Sequence, residues 1–107
     1  MIVRLWRGYT TLDNAQAYED LLRSEVMPGI AARKVAGYRG MWLARRPFRE
    51  EVEFVTLMRF DSMDAVKAFA GEDYESAVVP AKARQVLKRF DARSAHYEVV
   101  EDSPAGS

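Results

Sequence analysis

The chain runs strand, helix, strand, strand, helix, strand, and its two helical stretches are too short to cover all the apolar surface the strands carry. Strand-type runs lie at Ile2 to Tyr9, Tyr38 to Arg46, Val52 to Phe60 and Arg93 to Val100, and helix-type runs at Asp13 to Met27 and Ser62 to Ala70. This order is a split β-α-β unit, an α+β ferredoxin-like topology with an antiparallel sheet. In the third strand Phe54, Met58 and Phe60 point one way while Val55 and Leu57 point the other; in the second, Trp42 alternates with Met41 and Leu43. A sheet with one solvated face would alternate more cleanly. One face can rest on the helices and the other needs a second sheet. Two copies packed about a two-fold axis supply it, so a homodimer closing an α/β barrel is expected.

A length of 107 residues predicts one domain, over residues 1–101, followed by a small polar tail at 102–107 that should fray. The chain has no Cys, which removes disulfides, thiol nucleophiles and thiolate metal sites, and its one His makes an all-protein metal site unfavourable. Sixteen basic residues balance sixteen acidic ones. No long-range field then favours nucleic acid or anionic lipid. The first residues carry charge inside an apolar run, unlike a signal peptide, and no run reaches a membrane span. A cytoplasmic protein is the expectation.

Thr11 or Asp13 can cap the first helix, with Gln16 completing a capping box. Ala15, Tyr18, Leu22 and Val26 form its sheet-facing stripe, and Pro28 with Gly29 should interrupt it. Arg45 to Glu51 reads as a solvated hairpin loop. Ser62 caps the second helix, whose face is Met63, Val66, Phe69 and Ala70, and Gly71 ends it. A further short helix is predicted from Ala81 to Arg89 after Pro80.

Several motifs, in their order and spacing, carry a family resemblance over residues 2 to 100. They are Arg4-Leu5-Trp6, Met27-Pro28-Gly29, Gly37 to Gly40, Phe54 to Phe60 with Asp61-Ser62, Phe69 to Gly71, and His96 to Val99. In these the chain resembles the antibiotic biosynthesis monooxygenase-like branch of the dimeric α/β-barrel superfamily. The resemblance implies a pocket between sheet and helices, and oxygen insertion into aromatic substrates without metal or flavin. Such chemistry needs an apolar cavity, a base, and a donor for developing negative charge. Haem-degrading relatives carry a ligating His on the second helix, and Met63 to Gly71 contain none. The family's active-site Asn has no clear counterpart either, since the only Asn is Asn14.

The candidate catalytic residues are His96, Arg4 and Tyr74. His96 titrates near neutrality and suits a general base, although a structural role at the sheet edge serves equally well. Arg4 shares a face with Trp6 on a central strand; a buried Arg wants a carboxylate, and Glu53 is a plausible partner. Tyr74, in a connecting segment, could exchange a proton with a phenol. Trp6, Tyr38, Trp42 and Phe54 are the candidate substrate-binding aromatics, each of which could instead fill a core or interface. Two functions follow: a cofactor-free monooxygenase acting on a small aromatic, polycyclic or quinone-type metabolite, or a non-catalytic barrel binding a small apolar ligand in a stress-related or accessory role.

Overall fold

The computed structural model describes residues 1–106. The elements are β1 (Ile2–Thr11), α1 (Ala15–Leu21), a π-helical stretch (Leu22–Val26), α2 (Met27–Ala32), β2 (Tyr38–Phe48), β3 (Glu51–Phe60), α3 (Met63–Ala70), α4 (Ala81–Val86), β4 (Arg89–Phe90) and β5 (Ala95–Glu98). The sheet runs β2-β3-β1-β4, with β5 also on β1, and every pair is antiparallel. This is the ferredoxin-like α+β architecture expected.

Four boundaries differ from expectation. Pro28 does not stop the helix. It supplies no N–H, and it sits in the first turn of α2, where none is required, so the chain keeps turning after the π-helical stretch. The predicted hairpin loop is mostly strand, because β2 continues to Phe48 and only Arg49 and Glu50 turn, with Arg49 at φ 61°. Pro47 is tolerated because β2 is an edge strand. Helix α4 ends at Val86 rather than Arg89: Lys88 N–H donates to Tyr9 O, and Arg89 and Phe90 pair with Tyr9 and Gly8 along the free edge of β1. At the first helix Thr11 Oγ1 accepts from Asn14 N–H, whereas Gln16 turns to Glu19 and Asp20 instead of forming a capping box. Ser62 caps α3 as expected, accepting from Ala65 N–H. Of the expected tail, residues 102–106 are exposed, and Ser107 lies outside the described residues.

The last strand is split. Gly8 faces Phe90 and Leu5 faces Ala95, so three steps along β1 span five along its partner. The surplus lies in Asp91 to Ser94, and the Trp6 indole N–H donates to Asp91 O there at 2.8 Å. Register places Arg4, Trp6, Gly8 and Thr10 on the helix side, with Phe54, Thr56, Met58 and Phe60 beside them on β3.

The opposite face has no helix on it. Val3, Leu5, Val55 and Leu57 are half-buried there by their neighbours alone, and Trp42 and Tyr97 are 60% and 55% exposed. Glu53 belongs to this face and is not the partner of Arg4, because β1 and β3 pair it with Tyr9. The Tyr9 hydroxyl donates to it at 2.9 Å, Arg46 contacts it, and Arg7 lies 3.9 Å away. The Arg46 contact, opposed by burial, holds the Glu53 carboxyl below the usual carboxylate range.

Candidate functional site

The core is divided. Ala15, Tyr18 and Leu22 pack on Val52 and Phe54 with Ala83, while Ala65, Val66 and Phe69 pack on Met58 and Phe60. Between the two clusters β3 presents Thr56 beside Trp6 of β1. The seam is a cavity of about 60 Å³ whose polar lining is Arg4, Trp6, Tyr18, Thr56 and Ser94. It shares Val26, Ile30, Phe69, Val78 and Pro80 with a wider outer groove of about 450 Å³, which also takes in Leu21, Gly29, Arg33 and Lys82. The π-helical stretch forms one wall, contributing Leu22 and Val26. Such irregular turns recur at functional sites.

Arg4 is only 3% exposed, and no carboxylate among the described residues pairs with it. Its Nη1 donates to Tyr74 O and to His96 Nε2 at 2.9 Å, and its Nη2 donates to Ser76 O at 3.2 Å. All three acceptors are neutral. Burial lowers the Arg4 pKa, but a guanidinium remains a cation at neutral pH. The Phe69 ring, with its centroid 5.7 Å from the Arg4 guanidinium carbon, gives part of the remaining environment. The charge therefore faces an apolar cavity with no counter-ion among the described residues.

Three hydroxyls accompany it. Tyr18, Thr56 and Ser94 are each nine-tenths buried or more, and among the described residues none of their hydroxyl groups is hydrogen-bonded to another protein group. Burial pushes the Tyr18 phenol far up, so it is a donor and not a base. Sequence reasoning placed Tyr18 on the sheet-facing stripe without a role and passed over Thr56 and Ser94. The available signal was a hydroxyl in an otherwise aliphatic stripe, and a Thr between Phe54 and Met58 on a buried strand face.

The structure brings together only part of the expected site. Arg4 and Trp6 line the cavity. His96 and Tyr74 lie behind Arg4 and off the lining: their rings meet edge to face at 5.3 Å, and His96 Nε2 is engaged by Arg4. His96 has its pKa lowered by burial first and by the Arg4 charge second. Three aromatic candidates lie outside this cavity. Phe54 is fully buried in the core, edge-on to Tyr18 at 4.8 Å. Tyr38 packs on Phe60 at 5.5 Å, away from the cavity. Trp42 lies on the opposite sheet face under the Arg59 guanidinium, because its register partner is Leu57.

A haem needs an axial ligand inside the cavity, and the one His of the chain is held by Arg4 outside it. Among the described residues no cluster of three metal-ligating side chains exists either. These residues do not fit a haem. No helix among them is long and apolar enough to cross a membrane.

No family model matches the chain, and no curated protein matches it in sequence. Solved structures do. A Bacillus cereus protein described as a candidate antibiotic biosynthesis monooxygenase superposes with a TM-score of 0.70 at 15% identity, over 100% of this chain and 98% of its own. Rv0793 from Mycobacterium tuberculosis gives 0.64 at 18% identity, over 96% and 98% of the two chains. A MhuD variant with two manganese protoporphyrin IX molecules bound per active site gives 0.61 at 21% identity, over 98% and 100%. At these identities the likeness establishes that the chain shares the fold of these proteins.

Proposed function

We propose that the chain is a homodimeric, cofactor-independent monooxygenase acting on a small aromatic metabolite that ionises to an oxyanion. The observation that carries this reading is Arg4, a buried cation with no counter-ion among the described residues, facing an apolar cavity with three hydroxyls that have no partner among those residues. A bound phenol or enol is more acidic beside such a charge, because burial in a low dielectric strengthens the attraction between guanidinium and oxyanion. Its proton leaves to water at the groove, which accounts for a cavity lined by neither His96 nor Tyr74. The resulting electron-rich carbanion reacts with oxygen directly. At a methylene flanked by aromatic rings the carbon loses two hydrogens, one oxygen atom becomes the carbonyl, and the other leaves as water.

The same cavity without turnover is the second reading, a ligand-binding barrel. The absence from the described cavity lining of a His, Asp or Glu that could accept a proton favours it. Residues 1–101 act as one domain in either case, and the uncovered sheet face carrying Leu5, Val55 and Leu57 is where a second copy packs. Oxygen uptake in a sealed cell, by metal-free protein against hydroxyanthrones and quinols, separates the two. Uptake that requires the protein and falls in Arg4→Gln supports oxygenation. No uptake from folded dimer leaves the binding reading.

A further inference from the structure

Cavity and groove together define a shape as well as a charge. The inner chamber, about 60 Å³, holds the one buried cation of the site among the described residues, while the outer groove, about 450 Å³, is mostly apolar. Val26, Ile30, Phe69, Val78 and Pro80 line both spaces, and we take them as the neck that joins the small chamber to the larger groove. A ring system of drug-like size matches the groove and exceeds the chamber. Only a slim end of a ligand can reach Arg4.

We infer that the site takes an elongated, singly charged amphiphile that enters oxyanion first, its acidic tip on Arg4 and its apolar body in the outer groove. The inference rests on the cavity being the ligand site, as in the functional proposal, but it does not need turnover. Arg4 retains the donors for this role. Tyr74 O and His96 Nε2 occupy Nη1, and Ser76 O takes one N–H of Nη2. The Nε–H and the second N–H of Nη2 remain, and they are the pair that grips an oxyanion with charge-assisted hydrogen bonds. Thr56 and Ser94 supply neutral donors beside them. At the groove rim Lys82 is already paired with Glu25 at 2.9 Å, and the exposed Arg33, which donates to Phe69 O, is screened by solvent, so the buried Arg4 is the stronger attraction for a lone acid.

The test is calorimetric titration of wild-type protein with probes of matched composition. 4-Phenylbutanoate is slim and anionic, 4-phenylbutanamide is its neutral isostere, and 2-phenylbutanoate carries the same charge beside the ring, too broad for the neck. We expect 4-phenylbutanoate to bind about tenfold tighter than the amide, roughly the worth of exchanging a neutral for a charge-assisted hydrogen bond, and 2-phenylbutanoate to bind about tenfold weaker by exclusion from the neck. Equal binding of amide and acid overturns the anionic tip. Equal binding of the two phenylbutanoates overturns end-first entry. No binding of 4-phenylbutanoate overturns the inference as a whole. Selective binding of a slim anion by a protein that consumes no oxygen sustains the inference and removes only the oxygenation.

Discussion

Arg4 Nη1 lies 2.9 Å from His96 Nε2, and because a guanidinium can only donate, the imidazole must accept and so carry its proton on Nδ1. His96 is thereby held neutral. Burial and the Arg4 charge lower its pKa from the ordinary 6.5, so as pH falls the unfolded chain takes up the proton before the folded one does. The stability this contact confers is present above about pH 6.5 and is lost as pH drops through the lower folded value. Thermal melting at about pH 7.5 and 5.5 should show a larger loss for wild type than for His96→Gln, which keeps an acceptor for Arg4 but cannot titrate. Equal losses in both proteins would remove His96 from this role.

Phe54 belongs to the core and not to the cavity wall. Phe54→Ala deletes a fully buried ring packed edge-on to Tyr18, and should cost about 3–5 kcal/mol in chemical denaturation. A cost under about 1 kcal/mol would show that the site relaxes, or that the ring faces a space.

Gly8 carries no side chain because Trp6 stands over it. A Cβ there would lie 2.8 Å from Trp6 Cη2 and 3.0 Å from Leu87 Cδ2. Since the indole is tethered to Asp91 O, Gly8→Ala must displace either the ring or the strand. We expect a loss of about 1–3 kcal/mol, the usual cost of overpacking, with changed Trp fluorescence and weaker binding of any cavity ligand. Unchanged fluorescence would mean that the ring does not form the wall described.

Leu57 tests the uncovered face. It is half-buried beside Val55, and no helix packs over it. Leu57→Asp should turn the dimer into a monomer in native mass spectrometry, since an unpaired charge cannot be buried between two sheets. If wild type is itself monomeric at micromolar concentration, the proposed barrel does not form.

Strand order, the doubly apolar sheet and the shared face of Arg4 and Trp6 were legible in the sequence, because period-two alternation groups residues by face once a strand is recognised, whereas which face the helices cover was not. What failed depended on neighbours far along the chain. Lys88 to Phe90 has a helical pattern, yet the open edge of β1 draws it into pairing. Trp42 and Met41 look alike as apolar strand residues, and only the position of the helices decides which of them is covered. Glu53 was assigned to Arg4 by proximity of strands, although their positions along the β1–β3 ladder put them on opposite faces. Ser94 was given no role because it was counted in a strand from Arg93 to Val100, whereas β5 begins at Ala95 and leaves Ser94 in the irregular stretch before it.

The π-helical stretch from Leu22 to Val26 gives the pocket an unusual kind of encoding. Its wider bonding accommodates about one residue more than an α-helix of the same rise, and everything after it is rotated accordingly. The wall formed by Val26 and Ile30 is thus specified by how many residues the helix contains, and not only by which ones. In evolutionary terms, loss of a single codon could reorient one side of the chamber while leaving every cavity-facing amino acid in place, a route to new specificity that a comparison of residue identities would miss.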